Sequence, residues 1–274
     1  MKLQGIFVDM ATPFDHEGRL YRSKVQHNVS KYCLTTISGI VAGGAAGEGP
    51  LLSFEEKREL FQLVKQSATG ERMLLAGVDC AGVEESVALA HAAADAGFDL
   101  IAAYPPRFDG RMDTCADVRQ LYFRSLADRS PLPVVVVDGE LAHPNVAAII
   151  ASDPERVKAL TSAGQRVLCG SEPVLLESLK AGASGGVLNF ASAAPYAAIA
   201  IWEAFRTREE EAGLDWQERI RIPSLLVNER FGVAALKKAM DRNGYYGGKP
   251  RLPLRPLTTA EQEEVDEAFR YLKG

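Results

Sequence analysis

Residues Gly39–Val64 read GIVAGGAAGEGPLLSFEEKRELFQLV, and three signals in that stretch set the architecture. Gly39–Ala42 is a short apolar run without polar alternation, the pattern of a strand buried on both faces. Gly43, Gly44, Gly47 and Gly49 follow as a glycine-rich loop. Ser53-Phe54-Glu55-Glu56 then opens a helix as a capping box, in which serine and glutamate side chains satisfy orphan N–H groups at the helix start. Strand, glycine loop and capped helix make one βα unit, and the unit recurs outward in both directions. The predicted strands are Gly5–Val8, Gly39–Ala42, Met73–Val78, Leu100–Ala103, Val134–Val137, Val157–Leu160, Arg166–Cys169 and Gly186–Leu188. Eight strands alternating with helices, such as Glu84–Ala96 ended by Gly97, predict an α/β parallel sheet closed into a barrel. Past the eighth strand the pattern is helical: Trp202–Glu211, Ile222–Gly244 and, after the proline-rich connector KPRLPLRPL, Thr259–Leu272. The expected division is a barrel over residues 1–200 and a C-terminal helical extension over 201–274.

Composition narrows the function classes. The 274 residues are 47% hydrophobic and 24% charged, enough for a large core, and the net charge is −5 with basic residues scattered. No basic stripe marks a nucleic-acid or anionic-membrane surface. No apolar run reaches the length of a membrane span, and the N-terminus runs directly into a strand, so neither export nor anchoring is expected. Cys33, Cys80, Cys115 and Cys169 are far apart and form no CxxC pair, which argues against zinc or a disulfide framework and for a cytoplasmic location.

Several motifs are familiar in order along the chain. ATPFDHEG follows the first strand, GAAGEGPLLSFEEK the second and AYPPRF the fourth. GSEPVLLESLKAGASGGV crosses the seventh and eighth, and ALKKAMDRNGYYGGKPRLPLRPLTTAE runs through the C-terminal part. Together they resemble the dihydrodipicolinate synthase / N-acetylneuraminate lyase family. The resemblance implies a TIM barrel with added C-terminal helices, a homo-oligomer, dimer or tetramer, and chemistry on 2-keto acids through a Schiff base to a strand-six lysine. It further implies a tyrosine after strand five that relays protons, and a threonine pair in the second loop that binds the keto-acid carboxylate.

Each of those positions departs from the pattern. Ala45 and Ala46 stand at the threonines and keep only backbone N–H groups. Val137 stands at the tyrosine, beside Asp138, and a valine transfers no proton. Between strands five and seven the chain is about twenty residues shorter than the family pattern, about the length of one barrel helix with its turn. Two alignments therefore compete at the lysine: the ungapped one places Leu160 there, the other makes Asn145–Ser152 the sixth strand and places Ile150 there. In the first, Lys158 falls two residues before Leu160, on the same inward face, as a displaced candidate nucleophile. Glu48 reads as a favourable charge near a helix N-terminus.

Function in such barrels lies at the C-terminal ends of the strands. The polar residues expected there are Asp9, Thr12, Asp79, Cys80, Tyr104, Arg107, Asp138, Glu140, His143, Thr161, Ser162, Glu172 and Asn189. The catalytic candidates are Lys158, Asp138 and Tyr104. Gly44, Ala45, Ala46, Gly47, Arg107, Glu172 and Asn189 are the candidates for binding a small carboxylate or keto acid, with Arg107 as a guanidinium replacing the lost threonines. Cys80 and Cys169 end apolar strands without a neighbouring histidine and read as packing residues. No cofactor is expected. Two functions compete: a degenerate-site binding subunit, alone or associated with an intact relative, and a lyase or aldolase with relocated groups. The relocated groups would be Lys158 or a metal held by Asp79, Asp138, Glu172 and His143.

Overall fold

The structure is a computed structural model describing residues 3–106 and 116–272. Eight parallel strands close a barrel in sequence order: β1 (Gly5–Met10), β2 (Gly39–Ala42), β3 (Met73–Val78), β4 (Leu100–Ala103), β5 (Val134–Val137), β6 (Val146–Ala151), β7 (Val167–Cys169) and β8 (Gly185–Leu188). Register is carried by pairs such as Val8↔Ile40, Ala103↔Val136 and Val137↔Ile150, and β8 returns to β1 through Val8↔Leu188. Strand alternation splits the apolar residues between two cores. Phe7, Val41, Leu75, Ala102, Val135, Val137, Ala148, Ile150, Leu168 and Val187 fill the barrel, while Val134, Val136, Ile149 and Ala151 point out to the helices. This double burial is why the strands read as continuous apolar runs.

The surrounding helices are α1 (Arg22–Cys33), α2 (Phe54–Ser67), α3 (Val83–Asp95), α4 (Ala116–Arg129), α5 (Pro154–Ser162), α6 (Leu175–Lys180) and α7 (Pro195–Thr207). Ser53 and Glu56 form the expected capping box on α2. The missing helix lies between β5 and β6, where Asp138–Asn145 makes the crossover directly. Eight residues, extended, reach about 26–29 Å, enough to traverse a six-residue strand layer. Two features hold this short crossover. Gly139 lies against the Phe123 ring on α4, where a Cβ would come within 2.4 Å of ring carbon. The Asn145 amide donates to the carbonyls of Ala127, Ser130 and Leu132, satisfying backbone at the end of α4.

The sixth strand is the main correction. Val157–Leu160, expected as strand, lies inside α5, and Val146–Ala151 is β6. Asp153 is the N-cap, its carboxylate accepting from the N–H of Glu155 (2.7 Å) and Arg156 (3.3 Å), and Pro154 takes the first helical position. Val157 and Leu160, three apart, face the barrel from one side of the helix, whereas Lys158 is exposed.

The C-terminal helices also shift. α7 is capped by Arg208, in the left-handed region at φ 65°, and α8 (Glu210–Leu225) runs through Pro223 into a π-helical turn over Leu226–Arg230. α9 (Val233–Arg242) and α10 (Thr259–Ala268), the latter opened by a Thr258/Glu261 capping box, complete the chain.

Candidate functional site

At the C-terminal ends of the strands a cavity of about 200 Å³ opens inside the barrel. Its apolar wall is Ala45, Val137, Ile150 and Val187, and its polar groups come from Asp9, Tyr104, Asp138, Ser152 and Asn189. Ile150 points inward next to Val137 through the β5–β6 pairing. Thus the inward positions of β5 and β6 that line the cavity hold Val137 and Ile150, and no described residue lining the cavity carries an amine or a guanidinium.

The glycine loop after β2 is occupied by the protein itself. Asp9, near the end of β1, and Tyr104, just past β4, are both buried and converge on the loop. The Ala46 N–H donates to Asp9 Oδ2 (3.3 Å), the Ala45 N–H to Tyr104 Oη (3.2 Å), and the Tyr104 hydroxyl to Asp9 Oδ2 (3.4 Å). Asp9 Oδ1 has no hydrogen-bond partner. Gly44 makes the convergence possible, since a Cβ there would stand 2.4 Å from Asp9 Oδ1 and 2.6 Å from Tyr104 Oη. The backbone N–H groups expected to hold a ligand carboxylate are therefore taken by an internal carboxylate and a phenol.

Burial sets the electrostatics of this pair. It pushes the Asp9 carboxyl up to about 7, against the lowering effect of the Ala46 N–H and the Tyr104 hydroxyl, and the nearby Glu172 charge raises it further. The Tyr104 phenol is pushed well above its ordinary range by burial and by Asp9.

The other expected site residues are placed as follows. Ala45, Tyr104, Val137, Asp138, Ile150 and Asn189 line the cavity. Gly44, Ala46 and Gly47 form the backbone behind it, with Gly47 carbonyl accepting from the Thr12 hydroxyl at 2.7 Å. Asp138 has a positive φ of 47°, and its carboxyl is raised by burial while Arg156 and Arg119 act to lower it. Glu172 is buried off the cavity: Oε1 accepts from Phe190 N–H and Oε2 from the Asn228 amide, both at 2.7 Å, and burial raises its carboxyl. Lys158 and Leu160, on α5, are outside the barrel, which corrects the inward-facing lysine. His143 pairs with Asp128 at 3.0 Å on the outer crossover, and Glu172 is already engaged, so the expected metal quartet does not assemble. Among the described residues no cluster of three or more His, Cys, Asp or Glu is arranged to hold a metal. Arg107 lies outside the described residues.

Glu48 also differs from expectation. It takes a left-handed conformation (φ 57°) and turns into the protein rather than serving a long helix N-terminus. Its fully buried carboxylate is 2.5 Å from the equally buried Lys237 Nζ on α9 and accepts the Arg251 N–H at 2.7 Å. Lys237 also donates to the Lys249 carbonyl and lies over the Phe14 ring, and burial lowers its ammonium pKa. Arg251 covers the other approach, forked onto Glu56. A second buried lysine, Lys57, donates to the Asp79 carbonyl at 3.1 Å and lies near Cys80. Sequence reading missed the engagement of both lysines, because the partner of Lys237 is far away along the chain and the helix period alone marks Lys237 as solvated.

The 4-hydroxy-tetrahydrodipicolinate synthase of Xanthomonas campestris pv. campestris is 29% identical over 286 aligned residues, covering 97% of this chain and 93% of the relative. That of Exiguobacterium sp. is 26% identical, covering 97% and 96%. Among solved structures, a dihydrodipicolinate synthase from Bacillus anthracis superposes with a TM-score of 0.91 at 21% identity over the whole of both chains. An N-acetylneuraminate lyase from Mycoplasma synoviae gives 0.85 at 23% identity over 98% of each. These two structures speak for the fold. The model of the dihydrodipicolinate synthetase family matches residues 2–140 and 142–271, and the chain belongs to that family.

Proposed function

We propose that this barrel is a binding protein with a degenerate site, working as a homo-oligomer or beside an intact relative, and that it forms no Schiff base with 2-keto acids. The observation that carries the reading is Ile150 pointing into the cavity at the strand-six position, with no amine among the described lining residues. An imine requires a neutral amine within bonding distance of a keto carbon, and the two buried lysines are already engaged elsewhere. The occupied N–H groups of Ala45 and Ala46 support the same reading from the side of carboxylate binding. The test is intact-mass spectrometry after incubation with pyruvate and borohydride, beside a family member with the lysine as control. No adduct is expected; a reduced adduct on any residue overturns the proposal.

One observation favours a second reading, a lyase with relocated groups. A carboxyl with a pKa near 7, hydrogen-bonded to a buried phenol, is suited to acid–base work at neutral pH. That reading requires turnover of a hydroxy or keto acid without a trapped imine, abolished by Asp9→Asn. The three described cysteines, Cys33, Cys80 and Cys169, are free, which supports a reducing, cytoplasmic setting. Light scattering at micromolar concentration tests the oligomer.

A further inference from the structure

We propose that Lys57 and Cys80 form an oxidative modification site, in which hydrogen peroxide drives a covalent bond between the lysine nitrogen and the cysteine sulfur, a sulfenamide that staples α2 to the segment just past β3. The inference stands apart from the barrel mouth and does not depend on what binds there. Its first support is the placement of the two groups. Lysine is seldom fully buried, yet Lys57 is only 3% exposed, and Cys80 beside it 6%. Lys57 Nζ donates to the Asp79 carbonyl at 3.1 Å and reaches Cys80 Sγ at 3.9 Å. The carbonyl thus holds the nitrogen next to the sulfur, with the amine supplied by α2 and the thiol by the chain leaving β3.

The second support is the choice of partner open to an oxidised sulfur. A sulfenic acid condenses with a neighbouring thiol to give a disulfide, or with a neighbouring nitrogen to give a sulfenamide. The three described cysteines are all free, and the other two are turned to contacts of their own. Cys33 Sγ accepts from the Thr69 N–H, and Cys169 Sγ donates to the Ser171 carbonyl. The side chains acting on Cys80 are Lys57, Glu85, Ser86 and Asp79, and of these only Lys57 brings a nitrogen. Burial raises the Cys80 thiol while the Lys57 charge acts to lower it, so peroxide works through the thiolate fraction that the ammonium stabilises.

The steps balance. The Cys80 thiolate attacks one peroxide oxygen, the O–O bond breaks, and with uptake of a proton the products are the sulfenic acid and water. Lys57 then gives its ammonium proton to solvent, and its flexible stem lets the nitrogen close on Sγ. The S–N bond forms, the S–O bond breaks, and the hydroxyl leaves as water with a second proton from the nitrogen. Sulfur gives up two electrons, peroxide takes them, and the chain loses two hydrogens. Low exposure slows a second peroxide, which would carry the sulfur on to sulfinic acid.

The test treats the full-length wild-type protein with hydrogen peroxide, blocks remaining thiols, and reads intact mass and unreduced tryptic peptides by tandem mass spectrometry. The expected product has lost two hydrogens, resists cleavage after Lys57, gives fragments that place the link between Lys57 and Cys80, and returns to the starting mass with dithiothreitol. Lys57→Arg, which keeps the charge, is expected to lose the link and to accumulate sulfinic acid at Cys80; Cys80→Ser is expected to form neither product. A wild-type Cys80 that stays a thiol, passes only to sulfinic acid, or joins another cysteine overturns the inference. These outcomes are read on the wild-type chain alone, so a variant that fails to fold leaves the test intact.

Discussion

Replacing Asp9 by asparagine makes the electrostatic burden of the barrel mouth measurable as stability. The Asp9 carboxyl rises from 3.8 to about 7 on folding, chiefly through burial. Between those values the folded protein holds a proton that the unfolded chain has released, so stability declines as pH rises and levels off above about 7. At about 1.4 kcal/mol per pH unit the whole interval corresponds to a ceiling of about 4 kcal/mol, of which about 3 kcal/mol falls between pH 5 and pH 8. Asparagine cannot ionise. Its other effects on the Ala46 and Tyr104 hydrogen bonds do not depend on pH over this range, so the change in the mutant-minus-wild-type difference reads the ionisation of Asp9 together with its coupling to Glu172. Urea unfolding of both proteins at pH 5 and pH 8 is the assay. Relative to wild type, Asp9→Asn is expected to gain about 3 kcal/mol at pH 8 over its standing at pH 5. A difference that stays constant within about 1 kcal/mol would refute the claim that this carboxyl is forced to ionise in a dry site.

Further outcomes follow from the packing around the mouth. Lys237→Met should cost about 3–5 kcal/mol in urea unfolding, because it leaves the Glu48 carboxylate buried without its cation; adding Glu48→Gln should recover part of that loss, and strict additivity of the two would argue against a coupled pair. Gly44→Ala should destabilise by roughly 1–3 kcal/mol and shift the Tyr104 environment in near-ultraviolet spectra, since its Cβ collides with both Asp9 and Tyr104; an unchanged Tm would contradict the close approach. Asp153→Ala should cost about 1 kcal/mol through loss of the α5 cap, whereas a neutral result would restore the extended reading of that segment.

The sequence and the tertiary structure divide the explanation along physical lines. Local signals were enough for the βα repeat: the both-faces-buried runs Gly39–Ala42, Met73–Val78, Leu100–Ala103 and Val134–Val137 are strands with the expected limits, and Ser53 caps α2. They failed at Val146–Leu160, where two apolar segments competed for one strand. The Asp153-Pro154 pair was the available local signal for a helix start, and the closed sheet settles the matter because only Val146–Ala151 registers against both β5 and β7. That Ala45, Ala46 and Val137 carry no hydroxyl where the resemblance implies one is legible from the sequence, since a side chain's identity needs no coordinates. The contacts that the loop makes instead are not legible there. Asp9 and Tyr104 are 95 positions apart, Glu48 and Lys237 189 apart, and each pair exists only because barrel closure brings β1, β2, β4 and the C-terminal helices to one end. Composition and periodicity report which face of an element is buried; which buried charge meets which is decided by the closure of the sheet.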